Sequence, residues 1–147
     1  MDQPHSVSNR EQVVDTMIDL TRLSNLHRAI VAGHDSLELY LALRRRGFIR
    51  VATTATCRTP KRQYAVGLIT GQNSLSAIEA ALGQIAQFLS PSAAIAVLIE
   101  SCESGLCLKI RNRLEQMGFR IEAGVRCQRG LVLSAYRQGF NQMEIAA

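Results

Sequence analysis

Four residues of this chain could surround a small polar ligand, and each of them follows an apolar run: Gly33, Asp35, Thr54 and Glu100. Glycine lets the backbone approach a ligand closely, and hydroxyl or carboxylate oxygens accept its hydrogen bonds. In an open α/β sheet, ligands bind beyond the carboxyl ends of the strands. We therefore expect these residues to line a binding crevice.

Each candidate also has a purely structural explanation. Gly33 is explained as a turn glycine, and the polar run His34-Asp35-Ser36 could cap the next helix. Glu100 could equally bond the first turn of the helix after it, where negative charge is favourable. His34 could act as a general base, but no G-x-S-x-G nucleophile pattern surrounds Ser36. We assign no catalytic residue.

The cysteines do not predict a metal site. Cys57, Cys102, Cys107 and Cys127 form no C-x-x-C pair, and no second pair accompanies Cys102 and Cys107. Structural zinc sites usually show paired ligands at short spacing. We expect reduced, structural cysteines and no metal.

The chain is basic, with a formal net charge of +5 and three groups of cationic residues: Arg44, Arg45, Arg46 and Arg50; Arg58, Lys61 and Arg62; and Lys109, Arg111 and Arg113. Such groups favour anionic partners, but a solvated surface explains them as well. In that case, replacing the first three arginines should leave stability nearly unchanged. A nucleic-acid partner is possible and has no recognition motif to support it.

Length and composition predict one globular domain over residues 9–140, with a flexible N-terminus over 1–8 and a loose tail over 141–147. No apolar run approaches the roughly 20 residues that cross a bilayer. The first residues do not have the pattern of a secretory signal. We expect a cytoplasmic protein that does not associate with membranes.

Hydrophobic periodicity predicts alternating helices and strands. The predicted helices cover 9–24, 37–46, 75–89 and 106–117, and the predicted strands cover 29–32, 48–55, 64–70, 93–99, 120–127 and 131–137. A capping box, Ser8-x-x-Glu11, opens the first helix. This order predicts an α/β fold with a Rossmann-like, mostly parallel sheet, helices on both faces and a C-terminal antiparallel hairpin.

Two segments carry a family resemblance. Residues 28–47 (RAIVAGHDSLELYLALRRRG) read as strand, turn and helix, and residues 114–137 (LEQMGFRIEAGVRCQRGLVLSAYR) as helix, glycine stop and two strands. Together they resemble the first and last segments of class I S-adenosylmethionine-dependent methyltransferases, and the likeness extends over about residues 25–140. It implies a methyltransferase-like fold whose last strand is inserted antiparallel.

The sequence departs from that family where the cofactor is held. Of the glycines in the first motif, only Gly33 has a counterpart, because Asp35 and Leu37 occupy the later glycine positions. The carboxylate that binds the ribose hydroxyls is replaced by the Thr53-Thr54 run. The Asn/Asp-Pro-Pro-aromatic motif of amino-methylating members is absent from 70–73, where Asn73 or Ser74 is explained as a helix cap.

The connection between the second and third predicted strands is also short. Only residues 56–63 join them, which is too few for a crossover helix. Either the sheet is a shortened version that lacks one edge strand, or the two strands pair antiparallel as a hairpin. The sequence leaves this pairing direction open.

These observations support two functions. The first is a non-catalytic or vestigial methyltransferase-like domain, without cofactor, that acts as a protein interaction or regulatory module. The helix 75–89 and the N-terminal helix would then offer a surface for a protein partner or for self-association. The alternative is a small functional methyltransferase in which Gly33, Asp35, Thr54 and Glu100 surround S-adenosylmethionine.

Overall fold

The computed structural model describes residues 3–56, 61–72, 74–100 and 105–137. Within them, four helices and six strands follow one another in this order: α1 (Gln3–Thr21), β1 (Ala29–Gly33), α2 (Ser36–Arg45), β2 (Val51–Thr53), β3 (Tyr64–Gln72), α3 (Leu75–Ala86), β4 (Leu89–Ile99), α4 (Leu106–Gln116), β5 (Phe119–Arg126) and β6 (Leu131–Arg137). No helix in the described part of the chain is both long enough and apolar enough to cross a membrane.

The strands form one sheet in the order β2-β1-β3-β4-β6-β5. The pairs β1–β2, β1–β3 and β3–β4 are parallel, whereas β6 runs antiparallel to both β4 and β5. The predicted fold class is therefore confirmed, including the antiparallel hairpin at the end of the chain. This arrangement brings the carboxyl ends of β1 to β4 and the β5–β6 turn to the same end of the sheet. That end is called here the carboxyl edge, as distinct from the outer strands β2 and β5.

A separate apolar cluster covers each face of the sheet. On one face, α3 and α4 pack on the strands, and Leu82, Ile85 and Leu114 are completely buried as predicted. On the other face, Val13, Val14 and Met17 of α1 pack together with residues of α2. Strand β4 lies between the two clusters, and Ile95 to Ile99 contribute side chains to both of them. Its run of apolar residues suits a strand that is covered on both faces.

Of the two alternatives that the sequence leaves open for the second and third strands, the antiparallel hairpin is wrong. Strands β2 and β3 are not neighbours, because each of them pairs in parallel with β1. Strand β2 is also shorter than the predicted 48–55, with Val51–Thr53 alone in the sheet. It is an edge strand, and only these three residues pair with β1.

The start of the first helix is also corrected. Helix α1 begins at Gln3, so the predicted capping box at Ser8 falls inside it, and residues 3–8 are helical. Glu11 forms an ion pair with Arg46 of the segment after α2, and Asp15 lies 3.0 Å from the same guanidinium. Arg46 is thus an interhelical contact and not the freely solvated charge that was expected.

The boundary between α3 and β4 lies earlier than expected. The helix ends at Ala86, and Leu89, predicted to be its last apolar position, is the first residue of β4. Pro91 lies inside the strand. It is tolerated there because the β3–β4 register shifts between the pairs Tyr64–Leu89 and Val66–Ala94, which leaves this stretch outside the regular ladder.

Candidate functional site

The end of β1 turns sharply into α2 beside the end of β3. Gly33 has φ of +115°, which favours glycine, and the amide of His34 donates to the carbonyl oxygen of Thr70 at 3.1 Å. Asp35 occupies the N-cap position of α2, but its side chain accepts no capping hydrogen bond. Gly33 is therefore required by the local backbone, and the Asp35 carboxylate remains available for other contacts.

The Asp35 carboxylate contacts Arg129 of the turn between β5 and β6. One Nη of Arg129 lies 3.5 Å from an Asp35 oxygen and also forms an ion pair with the Glu100 carboxylate. The three side chains are between 19% and 31% exposed, so water reaches them only in part. A cation is therefore held between two carboxylates, an arrangement called here the Arg129 cluster, consisting of Asp35, Glu100 and Arg129.

A tight turn carries Arg129 to this position. Backbone hydrogen bonds join Cys127 and Gly130 in both directions, so that only Gln128 and Arg129 lie between this hydrogen-bonded pair. A Cβ atom at Gly130 would lie 2.3 Å from the carbonyl oxygen of Ile99 and 2.9 Å from the Cα of Glu100. Only glycine permits this approach, and it brings the turn directly against the end of β4.

Helix α1 contacts the same turn. The amide of Gln128 donates to the side-chain oxygen of Gln12 at 3.3 Å, and the hydroxyl of Thr16 lies 3.6 Å from the sulfur of Cys127. A groove with a volume of about 270 Å³ runs between residues 10–14 of α1 and residues 35–45 of α2. Thr70 and Arg129 line it as well, so this α1–α2 groove opens beside the Arg129 cluster.

The four predicted site residues do not all meet. Gly33 and Asp35 lie two residues apart in the same β1–α2 turn, and Asp35 shares Arg129 with Glu100. Thr54 follows β2, which is separated from β4 by β1 and β3. Three strand spacings of about 4.8 Å place the two strands roughly 14 Å apart. Thr54 therefore lies at the far side of the crevice from Glu100.

The hydroxyl of Thr53, the residue before Thr54, forms contacts within its own turn. Thr53 is buried, and its side-chain oxygen lies 3.0 Å from that of Thr56, which also accepts from the Thr53 amide at 3.1 Å. Thr54 itself is half-buried. At this end of the crevice the threonines close a turn, and no carboxylate takes part in it among the described residues.

The structural explanations of the other polar residues are confirmed only in part. Ser74 is the N-cap of α3 and accepts from the amide of Ala77 at 3.2 Å, as expected, whereas Asn73 lies outside the described residues. His34 does not cap α2, and its exposed ring lies 4.0 Å from the Asp35 carboxylate. Glu100 pairs with Arg129.

The expected absence of a metal remains a prediction. Among the described residues, no three His, Cys, Asp or Glu side chains come close enough together to hold an ion. Cys107 and Cys127 are free thiols, and Cys57 and Cys102 lie outside the described residues.

The sequence interpretation missed Arg129. Residues 128–130 separate the last two predicted strands, and the available signal is an arginine at the tip of a hairpin whose last strand returns from the carboxyl edge. Such a turn lies at the same edge as the ends of the parallel strands, where it can supply a site residue.

Solved structures with the same fold include several methyltransferases. A precorrin-6y C5,15-methyltransferase from Geobacter metallireducens matches with a TM-score of 0.60 at 13% identity, over 87% of this chain and 88% of that one. A release factor-specific protein-(glutamine-N5) methyltransferase from Alicyclobacillus acidocaldarius matches with a TM-score of 0.55 at 15% identity, over 88% and 92%. The chain therefore has a class I methyltransferase-like Rossmann fold.

The fold by itself does not assign methyl transfer. Another match, over 87% of this chain and 80% of that one, is the [4+2]-cyclase SpnF, with a TM-score of 0.57 at 12% identity. No protein-family model and no curated protein matches the chain. The function therefore has to be argued from the site.

Proposed function

We propose that this protein is a non-catalytic, methyltransferase-like domain that acts as a protein interaction or regulatory module in the cytoplasm. The observation that carries the proposal is the Arg129 cluster. Asp35 and Glu100, the two carboxylates at the centre of the crevice, are both engaged by a guanidinium of the same chain. A cofactor that used these oxygens would first have to displace Arg129.

The free-energy cost of that displacement favours a crevice that the Arg129 side chain keeps closed. Charge-assisted hydrogen bonds contribute about 1.5–3 kcal/mol each when they are shielded from water. The packing of Gly130 on β4 holds the backbone of the turn close to Glu100, so displacement would require the Arg129 side chain to swing out and give up both carboxylates. Binding of S-adenosylmethionine at this position would lose these contacts.

The opposite end of the crevice supports the same proposal. A ribose bound beyond β2 would meet threonines, of which Thr53 is buried and bonded to Thr56. A threonine hydroxyl can form one hydrogen bond to the ribose but not the charged bidentate pair that a carboxylate forms. This substitution corresponds to about one to two decades of affinity.

The exposed apolar side chains support an interaction role. Helix α3 exposes Ser76, Ala80, Gly83 and Gln84, which offer little apolar area to a partner. Larger apolar side chains are exposed elsewhere, among them Leu26 at 78% and Ile49 at 66%. A side-chain nitrogen of Arg50, the residue after Ile49, donates to the carbonyl oxygen of Leu26 at 3.4 Å, so the two segments that carry these apolar residues contact each other. A protein partner or a second copy would gain most by covering this pair.

The second candidate is a functional methyltransferase with a divergent site. The observation in its favour is the α1–α2 groove, because Asp35 lines it beside the ends of β1 and β3. In that case Gly33, Asp35, Thr54 and Glu100 would contact S-adenosylmethionine, and Asp35 would reach the ribose or the amino group from an unusual direction.

Isothermal titration calorimetry with S-adenosylmethionine and S-adenosylhomocysteine distinguishes the two candidates. We expect binding weaker than micromolar, or none, for the wild-type protein. Micromolar binding that Asp35→Ala abolishes would overturn the proposal and support the methyltransferase. A Gly33 variant is unsuitable for this test, since φ of +115° would strain any other residue there and disturb α2 whether or not a cofactor binds.

A further inference from the structure

The end of the sheet opposite the carboxyl edge, called here the amino edge, is basic. There β1 to β5 begin and β6 ends. The segments at these strand ends contain no aspartate or glutamate: 26–29, 49–51, 61–64, 86–90, 117–120 and 136–137. The same segments contain six cationic side chains: Arg28, Arg50, Lys61, Arg62, Arg120 and Arg137.

Contacts between neighbouring strand ends place Arg50, Arg28 and Arg62 in a row. Arg50 donates to the carbonyl oxygen of Leu26, two residues before Arg28, at 3.4 Å. Arg28 in turn donates to the side-chain oxygen of Gln63, the residue after Arg62, at 2.9 Å. The starts of β2, β1 and β3 therefore carry one cation each, and two strand spacings of about 4.8 Å separate the outer strands by roughly 10 Å.

The positive charge of the amino edge is not neutralised within the described part of the chain. None of the six cationic side chains forms an ion pair with a described carboxylate. Arg137 donates to the carbonyl oxygens of Leu89, Ser90 and Ala86, so it contributes charge to the surface without offering all of its donors. Burial and the nearby charge of Arg62 lower the pKa of Arg137. The amino edge thus has an excess of positive charge, unlike the Arg129 cluster, where opposite charges pair.

Two exposed apolar side chains lie at the β2 end of this row. Ile49, which is 66% exposed, directly precedes Arg50, and Leu26, which is 78% exposed, accepts the hydrogen bond of Arg50 through its carbonyl oxygen. A ligand that covers this end must combine anionic groups with apolar ones. A protein segment offers both, whereas the phosphate backbone of a nucleic acid would leave the apolar side chains uncovered. Two side chains also provide little apolar area for insertion into a membrane.

We propose that the amino edge binds an acidic segment of a partner protein. The carboxylates of the segment would meet Arg50, Arg62 and the neighbouring Lys61. Its apolar side chains would cover Leu26 and Ile49. Opposite charges steer such a segment to this surface and select it over a neutral or basic one. This inference rests on the proposed function, because it specifies the partner of the interaction module.

The probe is a capped ten-residue peptide in which three Glu-Ser repeats lie between two pairs of leucines. The acidic stretch spans about 20 Å when extended, which exceeds the length of the row, and either chain direction brings one leucine pair to Leu26. The peptide is titrated into ¹⁵N-labelled full-length protein. We expect saturable binding with the largest amide shifts in 26–28, 49–51 and 61–63. Raising the salt concentration from about 50 mM to about 300 mM should weaken it severalfold.

Two altered peptides separate the contributions of charge and apolar contact. Serine in place of the four leucines should weaken binding about threefold to fivefold, because Leu26 and Ile49 then remain uncovered. Lysine in place of the three glutamates should abolish saturable binding, because like charges then meet.

Matched variants of the protein test the cations. Each exposed charge should contribute about twofold, so replacing three of them by glutamine, at Arg50, Lys61 and Arg62, should weaken binding about eightfold. The control removes the same charge from exposed residues elsewhere, and it should keep the affinity within about twofold. Its three glutamine substitutions are at Lys109, Arg111 and Arg126.

A second matched pair tests the apolar contact. Leu26→Ser should weaken binding of the leucine-containing peptide about threefold and leave the serine peptide unaffected. Leu108→Ser removes a leucine that is 61% exposed on α4, and it should change neither affinity. Urea denaturation of each variant is the control for folding. Lys61→Gln alone, at an exposed position, should still weaken binding about twofold.

Several results would overturn the proposal. They are the absence of saturable binding of the acidic peptide, shifts confined to other parts of the molecule, or equal losses in the two triple variants. Tighter binding of a ten-nucleotide oligothymidylate at the same amides would assign the surface to nucleic acid. Tighter binding of phosphatidylserine vesicles would assign it to a membrane.

A parallel titration with S-adenosylmethionine distinguishes this inference from the proposed function, because the crevice lies at the opposite end of the sheet. Micromolar cofactor binding together with peptide binding at the amino edge would overturn the proposed function and leave the acidic-segment site standing. The absence of both would overturn the acidic-segment site alone.

Discussion

The core of the sheet and its carboxyl edge differ in what they demand of individual residues. In the core, β3 and β4 need only apolar side chains of suitable size, and Leu68, Ile69, Ile95 and Leu98 are all completely buried. At the carboxyl edge, the contacts depend on particular groups, because Asp35 and Glu100 share one guanidinium and Gly130 alone permits the turn to approach. A hydrophobic pattern can therefore persist while the edge residues change completely.

This difference allows a chain to share the fold of the methyltransferases while the residues at its carboxyl edge vary. Packing tolerates substitution as long as volume and pattern are kept, so identities of 13% and 15% are compatible with a common fold. A binding site has no such tolerance, since one missing carboxylate removes a specific charged contact. Core variants should therefore lower the free energy of unfolding strongly. Variants at the carboxyl edge should lower it only where they remove a specific contact.

The largest effect is expected in the core. Leu82→Ala removes a completely buried side chain between α3 and the sheet and should lower the free energy of unfolding by about 2–5 kcal/mol. Leu37→Ala, which truncates an exposed leucine, is the control and should change it by less than about 0.5 kcal/mol. Urea denaturation measures both variants. A loss below about 1 kcal/mol for Leu82→Ala would mean that the core is loosely packed.

The second effect concerns the turn at the carboxyl edge. Gly130→Ala would force a Cβ atom to within 2.3 Å of the Ile99 carbonyl oxygen, so the turn must move and the protein should lose about 2–4 kcal/mol. Gly124→Ala is the matched control in β5, where the new atom would meet Leu131 at 3.5 Å, an ordinary contact. Equal melting temperatures for the two variants would contradict the close approach of the turn to β4.

A smaller effect on stability should distinguish Arg46 from the nearby Arg44. Arg46 is 22% exposed and joins Glu11 and Asp15 of α1 to the end of α2, so Arg46→Gln should cost about 1–2 kcal/mol. Arg44→Gln should cost less than about 0.5 kcal/mol, because that side chain is exposed and forms no ion pair with the described residues. Thermal denaturation of both variants decides whether Arg46 is a structural contact. An equally small loss of stability in each variant would mean that Arg46 behaves as a solvated surface charge.

The sequence predicted the central elements well because their patterns are unambiguous. Leu82, Ile85 and Leu114 recur at helical spacing, and 93–99 contains only apolar residues, so their burial could be expected. The errors concern the ends of helices and strands. Leu89 continues the helical spacing of α3 but pairs with Tyr64 in the sheet, a contact that no local pattern announces.

The site was predicted only in part for the same reason. Asp35 and Glu100 follow apolar strands, which marks them as candidates in any open α/β sheet. Arg129 is 94 residues from Asp35 in the chain, and its place depends on the packing of Gly130 against Ile99. Such a contact is created by the tertiary fold, so the sequence indicated the two carboxylates but not the cation between them.

The central claim is that Arg129 is bound within the crevice by the carboxylates of its own chain. A double-mutant cycle between Arg129→Ala and Glu100→Ala, measured by urea denaturation, tests it directly. We expect a coupling free energy of about 1–3 kcal/mol for this shielded pair. The control cycle uses Arg22 and Glu122, which lie 3.5 Å apart with Arg22 79% exposed, and should give less than about 0.5 kcal/mol. Equal, near-zero coupling in both cycles would show that the crevice carboxylates are free and would contradict the account.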